Sequence, residues 1–403
     1  MFFSRFSSRG PRDFCGVRGV DGTGRARGRR GRGALVPPAV LACTVGTVLL
    51  VAPTADADVV GCGDRINADL VLQTNLVCDG PGLIVAADGL TIDLGGHTIT
   101  GNGTGIGVGL ADIAQTLTVV NGTIQRFDTA LRPNLWHSTG LEVRGLTLQD
   151  STVGIDADGS WGGVKIVDSV LRRNTRTAVM GAGNHVRVEN SRLEDNNAGI
   201  VTYTNAGTSA VSSVFVRNTV ALRTGNGGVD AIGNRFLDNT TGISASLSGL
   251  GLRGNTFVGG GIAVHGTLNI FGIEARDNTF ARAQTGLLLE DVQLSTGRIE
   301  IANNTFLANR QNGLRIRMGG VGTGVRITGN TFRYNGFAPG DPDDSGQVFD
   351  SGALATVGTF TDNLAVGNAG HGIEGHDAVV DGGGNRARAN GRTPQCLGVV
   401  CTG

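Results

Sequence analysis

Large apolar residues recur along this chain in one fixed setting. In Val186-Arg-Val-Glu-Asn-Ser-Arg-Leu193 and Val325-Arg-Ile-Thr-Gly-Asn-Thr-Phe332, apolar residues stand seven and five places before a large apolar residue. Taking that residue as a slot, the pattern repeats at Leu76, Ile99, Ile124, Leu148, Leu171, Leu193, Phe215, Phe236, Phe257, Phe280, Phe306, Phe332, Ala365 and Ala387. The mean step is near 24 residues, most steps lie between 21 and 26, and one, after Phe332, is 33. Within a repeat, Ile92/Leu94, Leu117/Val119, Leu141/Val143, Val164/Ile166, Ile299/Ile301 and Val325/Ile327 alternate with polar residues. That period of two marks a strand with one buried face. After most slots comes Gly-Ile or its equivalent: Gly105-Ile106, Gly154-Ile155, Gly199-Ile200, Gly242-Ile243 and Gly286-Leu287. This predicts a second short strand, reached through a corner where glycine takes φ > 0.

Such strands cannot bury their apolar faces alone, but stacked repeats bury them in one column. Asparagine sharpens the choice of solenoid. Asn234, Asn255, Asn278, Asn304, Asn330, Asn363 and Asn385 stand two places before their slots. Asn174, Asn196, Asn218, Asn239, Asn309, Asn335, Asn368 and Asn390 stand three places after theirs. Stacked in register, each amide bonds the ones above and below, and asparagine tolerates a left-handed corner. Phe236, Phe257, Phe280, Phe306 and Phe332 predict an internal aromatic stack. The fold expected is all-β, a right-handed parallel β-helix of about 14 coils over residues 58–394. It carries an insertion at about 336–358 and a tail at 395–403.

Composition agrees: 68 glycines, nine prolines and 5% aromatics suit a repeat with many corners. The zero net charge conceals an asymmetry. Residues 1–57 hold nine Arg and three Asp, which leaves 25 basic and 31 acidic residues for the rest. A mildly acidic body excludes nucleic acid as the expected partner. Arg25, Arg27, Arg29, Arg30 and Arg32 precede an apolar run from Ala39 to Ala52, and Ala55-Asp56-Ala57 then gives a small-x-small cleavage pattern. Residues 1–57 thus read as an export signal, with an apolar run too short to span a bilayer. Four cysteines follow it in two local pairs, Cys62 with Cys78 and Cys396 with Cys401. In an oxidising compartment these are expected as disulfides.

These features together resemble the right-handed parallel β-helix proteins of the pectin-lyase-like superfamily, over about residues 62–391. The likeness is nearest to exported repeat proteins of high-GC bacteria. Cys62-Gly-Asp64, Leu90-Thr-Ile-Asp-Leu-Gly-Gly-His-Thr-Ile99 and the Cys-terminated tail carry it. The resemblance implies secretion and a polysaccharide that is bound or processed along the long face. The fold also serves non-catalytic surface scaffolds and adhesins, which is the alternative reading.

Candidate chemistry gathers in two places. The insertion holds Asp341, Asp343, Asp344 and Asp350, and the next coil adds Gly370-His371-Gly372, Glu374, His376 and Asp377. Carboxylates beside histidine suit glycoside hydrolysis, with Asp343, Asp344 and His371 as acid/base candidates. They equally suit Ca²⁺. Polygalacturonases of this fold use an Asn-Thr-Asp segment, an Asp-Asp pair, a Gly-His-Gly segment and an Arg-Ile-Lys segment. Here the Asp-Asp pair and Gly-His-Gly match, Arg315-Ile316-Arg317 comes too early, and Asn-Thr-Asp is missing. Trp136 and Trp161 occupy nearly equivalent places in successive coils, a platform for sugar rings with His137, Asp156 and Asp158 nearby. Outward residues of the slot strand form mixed-sign runs, Glu142, Lys165, Arg187 and Glu274, Glu300, Arg326, as a solvated face would.

Overall fold

The computed structural model describes residues 60–403 apart from 112–115, 134–139, 160–161, 184, 270–271, 294–297, 320–323, 338–344, 351–357 and 377–378. Residues 58–403 form one compact unit. All regular structure among the described residues is β, and every strand pairing is parallel. One coil illustrates the rest: His185–Glu189 lies in a first sheet, Arg192–Glu194 in a second and Ala198–Tyr203 in a third. The third sheet alone stacks fifteen strands. This is the solenoid the spacing predicts, and the slots pair slot to slot, Leu171 with Leu193, Phe215 with Phe236 and Phe306 with Phe332.

The interior is a single apolar column. Leu, Ile and Val from all three sheets meet there, almost without solvent exposure. Six phenylalanines, Phe215 to Phe332, stack with centroids 4.5–5.0 Å apart and rings within 10° of parallel. That distance is the spacing of neighbouring strands, about 4.8 Å, so the coil pitch sets the stacking.

The asparagine columns are ladders, as the sequence predicts. Nδ2 of Asn278 donates 2.9 Å to Oδ1 of Asn304, and Asn304 repeats the bond to Asn330 at 3.0 Å. Each ladder amide also accepts a backbone N–H from the coil before it and donates to a backbone carbonyl of that same coil, as Asn304 does with the Asn278 N–H and the Ala275 carbonyl. Further toward the N-terminus serine does the same work, Ser169 to Ser191 to Ser213 and then to Asn234. The expected left-handed geometry, however, belongs to the residue ahead of each ladder amide. Asp277 (φ 57°), Asn303 (φ 55°) and Asp362 (φ 54°) precede one column; Arg173, Asp195 and Arg217 precede the other.

A second correction concerns the Gly-Ile corners. Gly105 does take φ +71°, but Gly154, Gly199, Gly242 and Gly286 keep ordinary backbone angles. They are glycine because a Cβ there would stand 2.3–2.4 Å from a carbonyl oxygen of the next coil. The 33-residue step is likewise two long connections rather than one loop. Between them, Gln347–Asp350 takes its place in the third sheet, paired with Leu314–Arg317 and with Ile373–His376. Disulfides Cys62–Cys78 and Cys396–Cys401 tie the first and last coils.

Candidate functional site

Eight residues before most slots, where a strand of the first sheet begins, the side chains vanish. In register from coil to coil stand Gly140, Gly163, His185, Gly207, Gly228, Gly249 and Gly272. With no Cβ to fill it, this edge becomes the floor of a groove. Two stretches, of about 480 and about 630 Å³, meet at His185 and together run from Gly89 to Glu300. Two residues further along each strand, outward side chains form one wall: Thr118, Glu142, Lys165, Arg187, Asp230, Glu274 and Glu300.

Each first-sheet strand is reached in sequence by a connection from the third sheet, and the lengths of these connections vary. They are long at 111–115, 133–139 and 158–163, short at 183–184, 204–206, 226–227 and 247–248, and long again at 294–298 and 319–324. Trp136 and Trp161 belong to two of the long connections, those running into Gly140 and Gly163; both, with His137, lie outside the described residues.

Apart from Asp230, the wall's charged residues are ion-paired within the protein. Lys165 Nζ reaches Glu142 at 3.3 Å, and Arg144 also pairs with Glu142. Arg187 pairs with Glu189. Arg253 and Arg276 meet Glu274 at 3.2 and 2.8 Å, and Arg276 and Arg298 meet Glu300 at 2.6 and 3.2 Å. Arg144 holds the Glu142 carboxyl below its usual range, with Lys165 adding to the effect. His185 is the one imidazole lining the groove among the described residues. Desolvation lowers its pKa, Arg187 lowers it further, and Asp230 opposes them. Its ring lies over the next floor position, where a Cβ on Gly207 would come within 2.9 Å of Nδ1.

The acid/base candidates are placed elsewhere. Asp341, Asp343, Asp344 and Asp377 lie outside the described residues. His371 is buried where the chain turns into the third sheet, its ring Nδ1 2.7 Å from the Pro394 carbonyl and its backbone N–H donating to Ser345 Oγ. Ser345 Oγ and His376 Nε2 bind the two oxygens of Glu374, at 2.5 and 2.8 Å. Asp156, singled out with Asp158 beside the tryptophans, stands on the third-sheet strand Val153–Ala157, and Asp158 follows it at the start of the connection. Asp156 takes Arg132 at 2.8 Å, and Asp158 accepts the Tyr203 hydroxyl at 2.6 Å. Burial, then Asp158, pushes the Tyr203 hydroxyl up to about 12.

Sequence reasoning missed the glycine floor and His185, although the grid that located the slots also locates them. Both were passed over because glycine was read only as a corner residue.

Several comparisons bear on this geometry. Residues 219–385 match the family described as right-handed β-helix region, and residues 91–267 match periplasmic copper-binding protein (NosD). Copper favours grouped imidazole or sulfur ligands. Among the described residues no three His, Cys, Asp or Glu gather to hold a metal, and Cys62, Cys78, Cys396 and Cys401 are all in disulfides. The described residues therefore do not fit a copper centre. No curated protein matches the sequence. Two solved structures resemble it. One is the catalytic unit of a thermostable GH87 α-1,3-glucanase from Streptomyces thermodiastaticus, at 13% identity and TM-score 0.38, covering 80% of this chain and 64% of that one. The other is the Dettilon tailspike protein, at 15% identity and TM-score 0.32, covering 81% and 61%. The chain thus spans less than two thirds of either protein. No helix among the described residues is long and apolar enough to cross a membrane. The disulfides and the periplasmic family fit an extracellular or periplasmic location. In family terms, the chain is a right-handed parallel β-helix repeat protein of the pectin-lyase-like type.

Proposed function

We propose that this is an exported polysaccharide-binding protein that lays an extended glycan along the groove of the first sheet. The observation that carries the reading is the pair of adjoining clefts, lined from Gly89 to Glu300, sharing His185 and floored by glycine. Glycine inside a strand weakens it, and often marks a place where a ligand or another backbone comes close. The rungs repeat at about 4.8 Å, near the length one pyranose adds to an extended chain, so successive sugars meet equivalent positions. Residues 1–57 supply export, and Trp136 and Trp161, in the connections that run into Gly140 and Gly163, are the ring-stacking candidates.

Cleavage is a further step that Asp343, Asp344 and His371 would carry. His371 is committed to the Pro394 carbonyl, so binding is the function assigned here.

The test is a glycan array probed with the purified protein and with Gly249→Trp. A Cβ at Gly249 meets nothing within 4 Å, so a side chain there starts out into open space. Binding by the parent that falls at least about tenfold in the variant, with unchanged circular dichroism, places the glycan in the groove. Equal binding by both moves the glycan elsewhere. No binding by a folded parent makes the protein a scaffold.

A further inference from the structure

We infer that the groove takes an electrically neutral polysaccharide and discriminates against polyuronates. This deepens the proposed function and rests on it. A polyanionic chain needs cations whose charge is free to meet it, and an exposed ion pair leaves little net field beyond its own dimensions. The groove is lined by four cations, Lys165, Arg187, Arg253 and Arg298, and by four carboxylates, Glu142, Asp230, Glu274 and Glu300. Every one of the cations is held by a carboxylate of the protein itself. Asp230 is the lining carboxylate that has no ion pair among the described residues. It therefore adds negative charge at the centre of the groove, where a uronate would be repelled. Three carboxylates each gather two cations: Glu142 takes Arg144 and Lys165, Glu274 takes Arg253 and Arg276, and Glu300 takes Arg276 and Arg298. What remains for a ligand is paired donors and acceptors, a bare backbone floor and one imidazole whose pKa is held down. That is a surface for hydroxyl groups, which both give and take hydrogen bonds.

The experiment compares the purified protein with Glu142→Gln/Glu274→Gln, which frees Lys165 and Arg253 while keeping side-chain shape. Probes are a soluble neutral β-glucan, a soluble neutral α-glucan and polygalacturonate, each measured at low and high salt. We expect a neutral glucan to bind the parent, with affinity changing less than about twofold on adding salt, and polygalacturonate to bind at least about tenfold more weakly. The double variant should gain about tenfold in polygalacturonate affinity, in a salt-sensitive manner. Preferential, salt-sensitive binding of polygalacturonate by the parent overturns this inference and leaves the glycan-binding proposal standing. Failure of every probe, with Gly249→Trp no different from the parent, overturns both.

Discussion

Two columns of glycine run the length of this solenoid, and they exist for different reasons. At the start of the third sheet, Gly154, Gly199, Gly242 and Gly286 face the backbone of the next coil so closely that any Cβ would enter a carbonyl oxygen. At the start of the first sheet, Gly140, Gly163, Gly228 and Gly249 have ordinary backbone angles, and a Cβ would meet nothing nearer than 3.6 Å. The first column is a packing requirement of its own coils: Ala130, Ala178, Ala221 and Ala263 fill the intervening places, while the glycine coils lie where a Cβ would meet a carbonyl oxygen at 2.3–2.4 Å. At the four positions named in the second column the fold asks for nothing, and glycine there costs roughly 0.5–1 kcal/mol per position relative to alanine; Gly207, beneath the His185 ring, and Gly272, at φ +150°, do have a local cause. A cost repeated on coil after coil, without a steric cause, points outward to whatever lies in the groove.

The comparison breaks most sharply at Gly199. Gly199→Ala should lower the unfolding free energy by about 1–3 kcal/mol, the usual penalty for an overpacked site, because its methyl group would sit 2.4 Å from the Ala221 oxygen. Denaturant titration of the purified protein measures this, and an unchanged midpoint would show that the coils part more easily than their carbonyl contacts imply. Gly249→Ala, in the other column, should move the midpoint the opposite way, by up to about 1 kcal/mol. Were it to destabilise as Gly199→Ala does, the floor would be structural after all, and the argument from dispensable glycines would fail.

The same contrast explains what could be read in the sequence. Slots, strands and ladders were legible because stacking forces like onto like: Phe215 meets Phe236, and Asn278 meets Asn304. An interior residue therefore announces itself by recurring at one spacing. Local backbone angles were less legible, since Asn303 and Asn304 are adjacent and only the ladder bond separates their roles. The groove was barely legible, because an absent side chain at Gly228 looks like any corner glycine until the register puts it beside Gly207 and Gly249. Outward ion pairs were half legible. Glu142 and Lys165 were expected as neighbours and are, but the pairing of Arg144 with Glu142 along one strand follows side-chain direction, which periodicity does not encode.

A third column sharpens the comparison by showing a left-handed corner built without glycine. Arg126, Asp150, Arg173, Asp195, Arg217 and Asp238 alternate in sign over six successive coils, all with φ between 51° and 61°. Arg173 grips Asp150 with two bonds, of 2.7 and 2.8 Å, and Arg217 grips Asp195 in the same way. Here charge pairing accompanies a backbone angle that glycine would adopt freely. The pair Asp150–Arg173 is exposed to water, with 35% and 45% of the side chains accessible, so screening limits its worth. Arg173 holds the Asp150 carboxyl below its ordinary 3.8. The pair consequently stabilises the fold above that ordinary value, and the contribution is lost as pH falls through the lowered one. Asp150→Asn should cost no more than about 0.5 kcal/mol at neutral pH, and the difference from the parent should close as the solution is acidified past the carboxylate range. A difference that persists unchanged in acid would mean that Asp150 acts through its shape and hydrogen bonds, leaving the alternation of sign without an energetic role.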